Sequence, residues 1–303
     1  MANNIKKIYI GAICNRDIEV LEQIKSFLLR NYNISIIELI KPQSKDFDEK
    51  YFQKRLKKYP LSFLILKLTS KQSNSIIYQA IEKYAPEIPI LNSLNSVRVC
   101  ESRRETFRLI QKKCKKLNIP KSYDSIVSAF EACKNGTQII IKLDSHNIPE
   151  LPKNDRIIGI ASNEFEFLNL VKSLPANKLF FQEYLGKHET LYKIYVIGQW
   201  VVSITSHNRL DEFENLTPLD LIHIRVPIDN RFKKRIIRFG KKIGMTIFGL
   251  DYIHTKNGFY IVDVNDFPSF RSIPEAISLI SDWIYNLINI NEIYYKKAVR
   301  VKS

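Results

Sequence analysis

The stretch FGLDYIHTKNGFYIVDVNDFPSF, residues 248–270, constrains the fold of this chain more than any other. Two runs rich in Ile, Val, Tyr and Phe flank Lys256-Asn257-Gly258, the pattern of buried strands joined by a tight turn. The length of that turn decides which side chains share a face, because a slip of one residue sends a strand's side chains to the opposite side. A two-residue Asn257-Gly258 loop pairs Lys256 with Phe259, sets Asp251 opposite Val264 and points it away from Asp263. A three-residue loop, with Gly258 in the left-handed bulge position, pairs Thr255 with Phe259 and sets Asp251 opposite Asp263. Asn265, two residues further on, then shares that face. Two carboxylates and an amide oxygen gathered in this way repel one another unless a hard cation such as magnesium lies between them. The competing reading has Asp263 and Asn265 merely turning the chain before Pro268, with Asp251 ending a strand. A three-residue loop with Gly258 in a bulge is therefore expected.

A chain of 303 residues, 45% hydrophobic and 26% charged, can bury substantial cores in two or three compact units. It contains no apolar run of membrane-spanning length, and MANNIKKIYIGAIC lacks the apolar segment and cleavage site of a signal peptide, so a cytosolic (cytoplasmic) location is expected. Cys14, Cys100, Cys114 and Cys133 lack metal-type spacing and read as reduced structural thiols. The five histidines likewise form no zinc pattern. A net charge of +16 and a pI near 9.5 point to an anionic partner: nucleic acid, an acidic membrane surface, or a nucleotide or polyphosphate. The bland alternative is a lysine-rich composition spread over solvated helix faces.

Strand and helix alternate at first, with strands over 5–12, 34–40, 61–68 and 89–91 and helices over 17–31, 48–58 and 73–84. That order predicts a small parallel sheet covered by helices. Gly11 stands alone after the first strand, so no glycine-rich dinucleotide loop is present there. A boundary falls near 92–95, ahead of the basic helix SRRETFRLIQKKCKKLNIP. Further on, strands are expected over 137–143, 156–161 and 178–184, with a helix over 163–174. LYKIYVIGQWVVSI reads as an antiparallel pair turning near Gly198-Gln199. A helix over 229–243 precedes the long hairpin, and an amphipathic helix from 272 to about 290 follows it.

The basic helix ending in LNIP, the strand lysine in IIIKLD, the FFQEYL strand and the DVNDFP hairpin, in that order, resemble the ATP-grasp superfamily. The preceding βαβ segment fits its layout. LYKIYVIG and IVDVNDFP are most similar to the corresponding runs of the inositol 1,3,4-trisphosphate 5/6-kinases, or inositol tetrakisphosphate kinases. The fold class implied is mixed α/β and α+β, an ATP-grasp fold with an N-terminal βαβ domain. Its parts are expected at 1–94, 95–188 and 189–303, the last carrying the metal site.

The resemblance implies an ATP- and Mg2+-dependent kinase that moves the γ-phosphoryl group to a hydroxyl of an inositol phosphate. Asp251, Asp263 and Asn265 would hold magnesium, in two ions with Asp263 shared. Lys142 would hold an ATP phosphate, Arg103 would approach the nucleotide phosphates, and the backbone of Gln182, Glu183, Tyr184 and Leu185 would form the adenine hinge. His146 and Lys193 would face the second substrate at the reacting end, with Arg209 and Arg271 as further substrate contacts. The chain departs from the family in having no glycine between His146 and Gly159, and in carrying Ser269 and Arg271 after the proline. Partners expected are an anionic small molecule, with nucleic acid not favoured, no membrane span, and a monomeric chain. Two alternatives stay open. One is an ATP-grasp carboxylate–amine ligase, although the sequence after Gly198 lacks the arginine and asparagine-glycine-glycine pattern of glutamate-adding ligases. The other is an inactive fold kept as a basic nucleic-acid or scaffold module.

Overall fold

Alternating apolar runs and amphipathic segments give, in the computed structural model, a chain of two compact units: residues 1–94, 197–200 and 267–303, and residues 95–196 and 201–266. The structure describes residues 7–41, 47–69, 74–145, 156–172, 174–188, 190–206 and 222–300, with side chains described as far as residue 290. In the first unit β1 (Ile8–Cys14), α1 (Ile18–Tyr32), β2 (Ile34–Glu38), α2 (Glu49–Lys58), β3 (Leu61–Lys67), α3 (Asn74–Tyr84) and β4 (Ile90–Leu91) follow in the expected order. The sheet is parallel, ordered β2-β1-β3-β4. Gly11 serves packing here: a Cβ on it would lie within 2.6–2.9 Å of Leu64, Leu39 and Leu61 side-chain carbons.

In the second unit α4 (Leu94–Val99) leads to α5 (Arg103–Lys113), whose first turn is capped by the Ser102 hydroxyl accepting from the Glu105 amide. There follow β5 (Ser122–Tyr123), α6 (Ile126–Lys134), β6 (Ile139–Leu143), β7 (Ile157–Ala161), α7 (Glu164–Val171) and β8 (Leu179–Glu183). They build a sheet ordered β5-β8-β6-β7, antiparallel throughout. Ile139, Ile141, Leu143, Leu179 and Phe181 pack on α6 and α7 residues such as Ala129 and Phe167. By strand alternation Ile140, Lys142, Phe180 and Gln182 face the other way.

The remaining elements are β9 (Leu191–Ile197), β10 (Trp200–Ser206), β11 (Arg225–Val226), α8 (Asn230–Ile243), β12 (Ile247–Thr255) and β13 (Gly258–Asp266), the strands ordered β11-β10-β9-β12-β13. Ile194, Val196, Phe248, Leu250, Tyr252, Ile261 and Val264 form their buried face, joined by Phe107 of α5 and Phe239 of α8. The hairpin corrects one expectation. Thr255 pairs with Gly258 and His254 with Phe259, so the loop is Lys256-Asn257 and the bulge is not at Gly258. The Thr255 hydroxyl closes this turn, accepting from the Asn257 amide at 3.1 Å and donating to the Gly258 carbonyl at 3.2 Å. The extra residue enters further along: Tyr252 pairs with Ile261 but Asp251 with Asp263, which leaves Val262 as a bulge. Core burial explains the placement. Ile261 and Val264 are both buried, 1% and 0% exposed, and an unbroken ladder would bury Asp263 in place of Val264. Asp251 therefore lies across from Asp263, as expected, by a different device.

The chain ends in α9 (Ala276–Arg300), which begins later than expected, past Pro274, and runs further. It belongs to the first unit, where Tyr32 donates to Asp282 and stacks on Tyr285 with ring centroids 4.3 Å apart. Among the described residues no helix is long and apolar enough to cross a membrane.

Candidate active site

The cleft of the second unit grows out of the alternation of β6 and β8. With Ile139, Ile141 and Leu143 committed to the helix-covered core, Lys142 points into the cleft from a wholly buried strand. Its ammonium donates to Gln182 Oε1 at 2.9 Å and to the carbonyl of the bulge residue Val262 at 3.1 Å. Burial pulls Lys142 down to about 8; Asp263 and Asp251 oppose that fall, and Arg103 adds to it. Two donors on the same wall have no partner among the described residues: the buried Gln182 Nε2 and the Leu185 amide. The amides of Glu183 and Tyr184 are already committed, to the carbonyls of Lys121 and Gln138 at 2.8 Å each.

Facing this wall are Asp251 and Asp263, held in cross-strand register by β12 and β13. Arg103 bridges the walls. Its Nη1 donates to the Leu143 carbonyl at 2.5 Å and the Ser145 carbonyl at 3.1 Å, while Nε and Nη2 each reach Asp263 at 3.3 Å. Asp144 sets the start of α5 that carries this arginine: its carboxylate accepts from the Ser102 hydroxyl at 2.7 Å and the Arg104 amide at 2.8 Å. A guanidinium 6% exposed next to a carboxylate 17% exposed is a charge pair largely withdrawn from water. The Asp251 carboxylate and the Asn265 amide make no hydrogen bond among the described residues, leaving their oxygens able to take a cation. No group of three or more His, Cys, Asp or Glu able to hold a metal occurs among the described residues, so the candidate set is two carboxylates and an amide.

The expected residues thus divide. Arg103, Lys142, Gln182, Glu183, Tyr184, Leu185, Asp251 and Asp263 line one cleft. Asn265 shares the face of Asp263, two residues along β13. Lys193 lies on β9 with its neighbours Ile194 and Tyr192 turned to the core, so it shares a sheet face with Asp251 but does not line the cleft. Arg271 belongs to the first unit, where it pairs with Asp17 at 3.0 Å and with Glu19. His146 and Arg209 lie outside the described residues, as does the glycine-poor segment after His146. Arg156, His188 and the apolar Ile140, Leu191 and Ile253 also line the cleft, beyond the residues the sequence points to. Arg156 carries a signal in the sequence, because it precedes Ile157, the partner of Lys142 on β7.

Comparison with known proteins bears on the fold. No protein-family model matches the chain. Inositol-tetrakisphosphate 1-kinase 2 of Oryza sativa subsp. indica is 22% identical over 280 residues, 79% of this chain and 76% of that protein. Inositol-tetrakisphosphate 1-kinase 3 of Glycine max is 21% identical over 285 residues, covering 78% and 74%. Among solved structures, D-alanine–D-alanine ligase from Bacillus anthracis complexed with ATP matches with a TM-score of 0.63 at 12% identity, over 96% of this chain and 99% of that one. The ATP-grasp ligase PsnB, complexed with a precursor variant, Mg and ADP, matches with a TM-score of 0.63 at 12% identity, over 93% and 99%. The chain has the ATP-grasp fold, and over most of its length its sequence is similar to the inositol-tetrakisphosphate 1-kinases.

Proposed function

We propose that the protein is an ATP- and Mg2+-dependent kinase that transfers the γ-phosphoryl group to a hydroxyl of an inositol phosphate. The observation that carries the reading is the convergence of Lys142, Arg103, Asp251 and Asp263 in one cleft, in a chain similar to inositol-tetrakisphosphate kinases. The residues fit both groups. Gln182 Nε2 and the Leu185 amide offer unused donors to a purine edge beside the apolar Ile140 and Leu191. Asp251, Asp263 and Asn265 are the residues that would hold magnesium, which when bound offsets phosphate charge and aligns the transferred group. Lys142 then serves as a buried cation for phosphate, kept in place by Gln182 and the Val262 carbonyl. Arg103, anchored on two backbone carbonyls, presents a rigid fork that pairs with Asp263 and can also face a phosphate. Lys193 is assigned to the acceptor's phosphates, with His146, Arg209 and Arg271 as its further contacts. In this reading residues 95–188 and 189–303 are the two nucleotide-holding parts, and the enzyme is cytoplasmic and monomeric.

The test is incubation with γ-labelled ATP and a panel of inositol phosphates, with and without magnesium. Labelled polyol that requires magnesium, and a loss of turnover of about 100-fold or more in Asp263→Asn, are expected. The ligase alternative has its own signature: phosphate release with a hydroxylamine-trapped acyl phosphate, and no labelled polyol, would sink the kinase reading.

A further inference from the structure

The cleft uses the N-terminal end of α5; the other end of that helix opens on a second feature. Lys112 and Lys113 lie in its last turn, and Lys115 and Lys116 follow directly, all four exposed. Beside them runs α8, on which Arg231, Arg235, Arg238 and Lys242 are exposed and fall on one side of the helix at 100° per residue, a row roughly 16 Å long. A groove between the two is lined by cations from both, with Leu117 and Phe239 as its apolar residues. Lys113 and Lys242 each donate to the other's backbone carbonyl, at 3.4 and 3.1 Å, which fixes the two helix ends side by side. No acidic residue occurs over residues 106–123 or 230–243, and among the described residues none of these eight cations has a carboxylate partner.

Helix dipoles account for part of this. Cations at the last turns of α5 and α8 interact favourably with the carbonyl ends. Arg231, Arg235 and Arg238 occupy the first and middle turns, where the dipole gives no such benefit and like charges repel. The face carries no exposed aromatic for base stacking and no exposed apolar side chain to enter a bilayer: Phe239 is buried and Leu117 half-buried. A compact anion would engage only part of a row this long, whereas a chain of phosphates can follow it.

We infer that this groove binds the phosphate backbone of a nucleic acid without reading its sequence. The inference stands apart from the reading of the cleft. Inorganic polyphosphate offers the same linear chemistry, and the experiment separates the two. Fluorescence anisotropy with a labelled 20-base-pair RNA duplex, the matching DNA duplex and long-chain polyphosphate is measured on the full chain across a salt series. Binding of a duplex is expected to weaken with salt with a log–log slope of about −4, as for four to five neutralised phosphates. Arg235→Glu with Arg238→Glu and Lys242→Glu should weaken it by at least about tenfold at low salt, with melting and nucleotide binding in the cleft as in the unaltered chain. If that variant misfolds, Arg231→Gln with Arg235→Gln should make the slope shallower by about two. Duplex binding without salt dependence, or unchanged in these variants, overturns the inference. So does binding of polyphosphate alone, or of phosphatidylserine vesicles alone.

Discussion

Lys142 is a cation in a place that disfavours cations, and this has a measurable consequence. Free, it loses its proton near pH 8 because burial outweighs the two aspartates. A bound polyphosphate favours the charged form, so nucleotide binding above about pH 8 should take up a proton, and below about pH 7 it should not. Calorimetry at pH 8.5 in buffers of different ionisation enthalpy should show that uptake, and Lys142→Met should abolish it while weakening binding. Uptake that persists in Lys142→Met would assign the proton elsewhere. At this scale the residue types at 251, 263 and 265 mark the candidates in the sequence, but their alignment rests on a turn that differs from the one in the structure. What spacing does not carry is partnership. Nothing in SRRETF says that Arg103 will spend its guanidinium on two carbonyls as well as Asp263, because those carbonyls arrive from the end of β6.

Elements were readable where their patterns were long. The parallel strands and their helices fall within a few residues of expectation, because apolar runs and periodicity are local properties. α6 has no such pattern: its capping box pairs Ser125 with Ser128, without the acidic or amide residue that marks such a start in sequence. The Val262 bulge could not be read at all, since its position is set by which residues the core accepts on both sides of it. The turn between β9 and β10 is legible in Gly198-Gln199, but its tightness is not. Gly198 has φ +61°, and a Cβ there would lie 2.4–2.7 Å from Trp283 ring carbons of α9. Gly198→Ala should therefore cost roughly 2–4 kcal/mol in urea denaturation, from backbone strain and overpacking together. Trp283→Ala should relieve the overpacking part in a double-mutant cycle; strict additivity would show that the contact is not the cause.

Over the whole molecule, burial of charge recurs away from the cleft. In the first unit Lys67, 1% exposed, pairs with Asp17 at 3.2 Å and donates to the carbonyls of Phe267 and Pro268, the latter at 3.1 Å. Lys67→Met would leave two carbonyls without their donor and Asp17 with Arg271 alone, and should cost roughly 2–4 kcal/mol. Burial lowers Lys67 to about 8, with Arg16 adding to the fall and Asp17 opposing it. Between about pH 8 and the ordinary lysine value near 10.5 the unfolded chain then holds more protons, so this residue's contribution to stability rises with pH. Cys14, pushed up to about 11 by burial, works in the opposite sense, so the comparison belongs in a Cys14→Ser background. Lys142, lowered to about 8 as well, adds a rise of its own over the same window, so there the rise should be smaller in Lys67→Met and not absent; an equal rise in Lys67→Met would refute the assignment. The bulge at Val262 carries one more consequence, for length rather than identity. Deleting Val262 alone would return an ordinary hairpin with Asp263 still across from Asp251, yet without the carbonyl that steadies Lys142. The acidic pair and the main-chain half of the lysine's anchorage are thus separable by a single codon, with the Gln182 contact left in place.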